Sequence, residues 1–204
     1  MTTHASLDEV HRFWFADTLD DPAAAIERNK IWFGTSAQFD DACGHFEPAI
    51  GAAARGELDE WERTPRSSVS LVIVLDQFPR NVYRGTAAAF AHDALALQAT
   101  RRALAAGHLD RLSVPERAFL LMPFQHVEDV AIQREGVALF EHSHAAAPAE
   151  WKTFAQNNLD FARKHLEIVE RFGRFPHRNA VLGRPSTAEE VEYLASKPDS
   201  FGQG

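Results

Sequence analysis

The sequence predicts an all-α fold, and three observations carry that reading. Apolar residues recur at steps of three and four along nearly every periodic stretch, the spacing that lines one face of a helix. Helix-start signatures recur too: Ser6-Leu7-Asp8-Glu9, Ser113-Val114-Pro115-Glu116 and Thr187-Ala188-Glu189-Glu190 all have capping-box spacing. The one segment rich enough in Val and Ile to be a buried strand, Val69 to Leu75, has no partner elsewhere in the chain. A lone strand leaves its ladder groups unpaired, so this segment reads as a buried helix capped by Ser67 or Ser68 and ending at Phe78-Pro79.

Each element follows from local signals. The box at Ser6 opens a helix that puts Leu7, Val10, Phe13 and Trp14 on one face. Asp21-Pro22 starts a second, since proline at the first helical position forfeits no hydrogen bond, and the run ends at Trp32-Phe33-Gly34. Thr35 to Gln38 opens a third with Phe39, Cys43, Phe46 and Ile50 on its stripe, bent near Pro48. After the Val69 segment comes an Ala-rich helix from about Ala88 to Ala106, stopped by Gly107. The segment opened at Ser113 runs to about His144 with a kink or break at Pro123, and Pro148 starts the next, which ends at Phe172-Gly173. Thr187 caps a last short helix ending before Pro198, and the Gly-rich terminus is expected to fray. The sum is about eight helices with short connections, stacked as antiparallel hairpins in one domain spanning residues 1–204.

Bulk properties exclude several functions. A formal charge of −8 supplies no basic face for nucleic acid or an anionic membrane. The single cysteine, Cys43, rules out an internal disulfide or a thiolate cluster and sits on an apolar stripe as a core residue. With no long apolar run and no leader, the chain reads as cytoplasmic. No Gly-rich phosphate loop and no nucleophile elbow occurs.

One phrase occurs twice. Gln77-Phe78-Pro79-Arg80-Asn81 leads to Arg84-Gly85, and Arg174-Phe175-Pro176-His177-Arg178-Asn179 leads to Gly183-Arg184. Two helices meanwhile carry polar residues on apolar faces: His126, Asp129 and Gln133 among Phe119, Met122, Val137 and Phe140, and Asn158 and His165 among Phe154, Phe161 and Ile168. Buried polar side chains need partners, and the two corners offer Arg, Asn and His. Residues 76 to 84 and 174 to 184 are therefore expected to meet over His126 and His165.

Three readings of that meeting stand open. It can be a structural network around helix ends. It can be a pocket for a small anion, with Asp76, Arg80, Asn81, Arg84, Arg174, His177, Arg178, Asn179 and Arg184 binding the ligand. His126 and His165 would then supply acid–base chemistry, oriented by Asp76, Glu128 or Asp129. Or it can clamp the carboxylate end of a peptide in a scaffold groove. No cofactor or metal is called for: His126 with Asp129 or Glu128 resembles only part of a metal site, and Glu128 falls on nearly the opposite face of a regular helix.

The phrases Leu75-Asp76-Gln77-Phe78-Pro79-Arg80-Asn81, Phe90-Ala91-His92-Asp93, Met122-Pro123-Phe124-Gln125-His126-Val127-Glu128 and Phe172 to Asn179, with Leu182-Gly183-Arg184, are similar to those of the bacterial family catalogued as domain of unknown function 924. The resemblance spans nearly the whole chain. It implies an all-helical fold of the tetratricopeptide-like (TPR-like) superfamily and no particular activity. Gln125 and Val127 stand where similar sequences often have other residues, whereas His126 and Glu128 are kept.

Overall fold

The computed structural model describes residues 4–196. Among these residues there is no strand, and the chain forms ten α-helical segments when the uninterrupted run 65–82 is counted once. The C-terminal residues expected to fray lie outside the described part.

Helix α1 (Leu7–Phe15) begins with the expected box: Glu9 N–H donates to Ser6 Oγ while Ser6 N–H donates to Glu9 Oε2 at 2.7 Å. Asp21 caps α2 (Pro22–Trp32) through Oδ1. The third helix is broken rather than bent, into α3 (Ala37–Gly44) and α4 (Glu47–Ala54), because Pro48 takes the first turn of a new helix, where its missing N–H costs nothing.

The Val69 segment is helical, but its limits differ from the sequence reading. Thr64, not Ser67 or Ser68, caps α5 (Pro65–Val72); Ser67 completes the box from inside. The run also does not stop at Pro79. It widens into a π turn (Ile73–Gln77), in which Phe78 N–H reaches back five residues to the Ile73 carbonyl, and continues as α6 (Phe78–Val82). Pro79 thereby falls in the first turn of α6, where no donor is required.

A 3₁₀ turn and α7 (Asp93–Ala105) follow, with Gly107 past the end at φ 68°. The next segment breaks three residues after Pro123, into α8 (Val114–His126) and α9 (Val130–Ala146). Then α10 (Lys152–Phe172) ends at left-handed Gly173, and α11 (Ala188–Ala195) starts with the box at Thr187.

Sequential helices α8, α9 and α10 pack as consecutive hairpins. Beside them sits an aromatic core in which Trp14 stands edge-on to Phe119 at 5.3 Å and to Phe78 at 5.6 Å, while Phe46 stacks on Phe78 at 4.5 Å. This core fixes α6 against α8, and so sets the first corner beside His126. Tight packing of α8 on α9 requires Gly136, where a Cβ would stand 2.6 Å from Phe124 Cβ. No helix among the described residues is long and apolar enough to cross a membrane.

Candidate functional site

The π turn builds the first half of the site. A widened turn points its side chains differently from a regular helix, and such turns concentrate at functional positions. Here it buries Asp76 completely. The helix carbonyls around it gain extra donors from the corner itself: Arg80 Nη1 donates to Asp76 O at 2.7 Å, and Asn81 Nδ2 donates to Gln77 O at 2.9 Å. The Asp76 carboxylate accepts from Gln77 Nε2 at 2.6 Å and from His126 Nδ1 at 2.8 Å, and pairs with Arg80 at 3.1 Å. Burial pushes this carboxyl up, but Arg80 and His126 outweigh it and hold Asp76 below the usual carboxylate range.

His126 ends α8, where chain and side chains secure it from several sides. Val127 leaves helical geometry, Asp129 caps α9 through Oδ1, and Gln133 Nε2 donates to the carbonyls of Gln125 and Val127 at 2.7 and 2.8 Å. The misfit Gln133 on the apolar stripe thus satisfies the end of α8. The His126 carbonyl accepts from Arg178 Nη1 at 3.0 Å, which ties the second corner to the first. Both guanidinium groups share one carboxylate: Arg80 Nη2 and Arg178 Nη1 reach Asp93 Oδ2 at 3.0 and 3.3 Å. Arg178 is further sandwiched between the rings of Phe90 and Phe175, at 4.4 and 4.5 Å from their centroids.

The two corners, His126 and His165 surround a cavity of about 150 Å³. Gln77, Arg80, Asn81, Arg84, Gln125, His126, Asn158, His165, His177 and Arg178 form its polar wall, and Trp32, Phe33, Met122 and Phe161 its apolar wall. Arg84 is held there by a two-pronged pair with Asp40, both contacts at 2.8 Å. The rings of His126 and His165 meet edge to face at 5.8 Å. His165 Nδ1 faces the Phe161 carbonyl at 2.7 Å and must therefore carry the proton, leaving Nε2 as the acceptor of a neutral ring.

All three histidines are held neutral. Burial, then the nearby Arg80, lowers His126 despite Asp76. Burial and His126 hold His165 well below the ordinary histidine value. Burial and Arg178 press His177 down to about 3. Arg178 itself is lowered to about 10, by burial first and then by Arg80, against the pull of Asp93. The site disfavours additional positive charge.

The second corner divides between two tasks. His177 and Arg178 turn to the cavity, whereas Arg174, Asn179 and Arg184 do not line it. Arg174 grips Glu190 through Nε and Nη2 at 2.6 and 2.7 Å. Asn179 Nδ2 donates to Ser186 Oγ at 3.1 Å, and Arg184 Nε donates to Asn179 Oδ1 at 3.0 Å. Glu128 belongs to the same clamp. It accepts from Arg184 Nη2 at 2.9 Å and from Phe175 N–H at 2.8 Å, and it borders a separate, wider depression instead of the cavity. Its carboxyl, raised by burial, is lowered further by Arg184 and the Phe175 amide. Asp129, the other orienting candidate, is an exposed helix cap.

Sequence reasoning passed over Asp93 as a site residue, although it lies in one of the quoted family phrases. An acidic residue in the first turn of an Ala-rich helix has an ordinary explanation in the helix dipole, which hid its role between two arginines. Gln77 and Gln125 carried no periodicity signal of their own. Among the described residues no group of three His, Cys, Asp or Glu side chains has metal-holding geometry.

No curated protein matches the chain. A solved structure of a protein of unknown function from Agrobacterium tumefaciens is similar at 38% identity and a TM-score of 0.78, covering 93% of this chain and 97% of that one. The profile of the family described as bacterial protein of unknown function (DUF924) matches residues 10–198. With its doubled corner, the His126 segment and the fold around them all inside that span, the chain belongs to this family.

Proposed function

We propose that the protein binds an anionic small molecule in the Arg/His/Asn-lined cavity, with His126 as the group poised for acid–base chemistry on it. The observation that carries this reading is the convergence on one enclosed space of a neutral, carboxylate-oriented histidine and buried arginine. Asp76 fixes His126 in the Nδ1–H form, so the Nε2 lone pair is the basic end, an arrangement suited to a general base. Arginine presents planar, permanently charged donors matched to carboxylate or phosphate oxygens. Beyond the effect of burial, Arg80 lowers His126 and Arg178 lowers His177, so the positive charge beside the cavity is felt inside it and supports an occupant of opposite sign.

The cavity residues include no hydroxyl or thiol side chain, which favours a base acting directly on ligand or water over a covalent acyl intermediate. An interaction scaffold would present its arginines along an open groove. Arg80 and Arg178 are buried, at 7% and 6% exposure, which favours a small molecule over a peptide clamp. Cys43, buried with its thiol pushed up to about 12, suits the reducing cytoplasm.

A thermal-shift screen of inorganic phosphate and small carboxylates tests the reading. A ligand at about 100 times its dissociation constant adds about 2.7 kcal/mol of apparent stability. The proposal fails if no such anion raises the melting temperature, or if an Arg178→Lys protein responds as the parent does.

A further inference from the structure

Two residues that line the cavity each carry a buried polar atom with no hydrogen-bond partner among the described residues. Arg178 Nε is a donor and Gln125 Oε1 an acceptor, on side chains of residues each more than nine-tenths buried. His126 adds a third group: its Nδ1 is held by Asp76, and its Nε2 makes no hydrogen bond among the described residues. Native interiors pair such groups, so unpaired ones on residues beside a cavity specify what a ligand there must offer. A simple anion satisfies Arg178 Nε but sets its lone pairs against the other two acceptors. An occupant that satisfies all three carries an acceptor and, beside it, an O–H or N–H donor.

Charge and size narrow the class. An ammonium donor would enter a space already holding Arg80, Arg84 and Arg178 and depressing every histidine in it, so a neutral hydroxyl fits better. A volume of about 150 Å³ holds a group roughly the size of benzene. Phe33 and Phe161, both 37% exposed and stacked at 6.3 Å, form an apolar edge where the cavity meets solvent.

Resting on the anion-binding reading above, we infer that the ligand is a small 2-hydroxy carboxylate. Its carboxylate faces Arg178, its hydroxyl donates toward His126 Nε2 and Gln125 Oε1, and a short apolar tail points to Phe33 and Phe161. Titration calorimetry with lactate, propionate and alanine tests this. Lactate is expected to bind at least about tenfold more tightly than propionate, because a site built around a hydroxyl rejects its deoxy analogue, and alanine more weakly than lactate. In Gln125→Leu the ratio of lactate to propionate affinity should fall toward one; Gln125→Met, checked for native helicity by circular dichroism, serves if that variant does not fold. Equal binding of lactate and propionate by the parent, a preference for alanine, or an undiminished ratio in the folded Gln125 variant overturns the inference while leaving anion binding standing. If neither these acids nor phosphate binds, the anion-binding reading falls as well.

Discussion

Mild acid should destabilise this protein, and His177 sets a minimum for the effect. In the unfolded chain His177 titrates near 6.5; in the folded protein burial and Arg178 hold it at about 3. Between those values the unfolded state binds a proton that the folded state refuses, so stability falls as pH drops below about 6.5. At about pH 5 the gap is roughly 1.5 pH units, or about 2 kcal/mol at 1.36 kcal/mol per unit. His165 and His126 are lowered as well and act in the same direction. Against a total stability on the order of 5–15 kcal/mol, that is a large fraction. Urea unfolding followed by circular dichroism at about pH 7.5 and about pH 5 measures it, and His177→Asn should lose about 2 kcal/mol less than the parent over that interval. If the parent is equally stable at both values, or if His177→Asn falls as steeply, the three-histidine account of the cavity is wrong.

Replacing Asp93 with Ala removes the carboxylate shared by two buried guanidinium groups, leaving Arg178 without its ion-pair partner while Arg80 keeps Asp76, and should destabilise by about 3–5 kcal/mol, read as a shift in urea midpoint, with added phosphate restoring part of it. Gly136→Ala gains up to about 1 kcal/mol of helix propensity but drives a Cβ against Phe124; overpacking of about 1–3 kcal/mol should win, and a raised melting temperature would refute the close approach of α8 and α9. Glu128→Ala removes partners of Arg184 and of the Phe175 amide, so a loss of about 1–3 kcal/mol is expected, with the affinity for small anions changed less than by Arg178→Lys. Binding measured against pH in Asp76→Asn should be flatter than in the parent, because the carboxylate no longer fixes the His126 proton.

Much of the architecture was legible because it rests on local chemistry. Ser6 with Glu9, Pro22 behind Asp21, and Thr187 with Glu190 each state a helix start within four residues, and each forms. What misled was proline. Pro79 read as a stop and Pro123 as a kink or break, yet the first is absorbed by a π turn and the second lies inside α8, with the break displaced toward the Asp129 cap. Both prolines lie in helices whose Phe78 and Phe119 pack edge-on against Trp14, a tertiary contact that their neighbours in sequence do not specify. The site was half legible. His126 and His165 stood out as misfits on apolar faces, and the repeated corner pointed to their partners. The division of that corner could not be read, since Arg174, Arg178 and Arg184 are equivalent on paper and only the positions of Glu190, Asp93 and Glu128 in space tell them apart.

His126 and Arg178 border both the enclosed cavity and the wider depression of about 600 Å³ beyond it. The two spaces thus share two residues, which are joined by a hydrogen bond from Arg178 to the His126 carbonyl. Shortening Arg178 would do more than delete a charge: it would remove a side chain that serves as a wall of both spaces, the second of which Phe90, Leu97 and Leu182 also line.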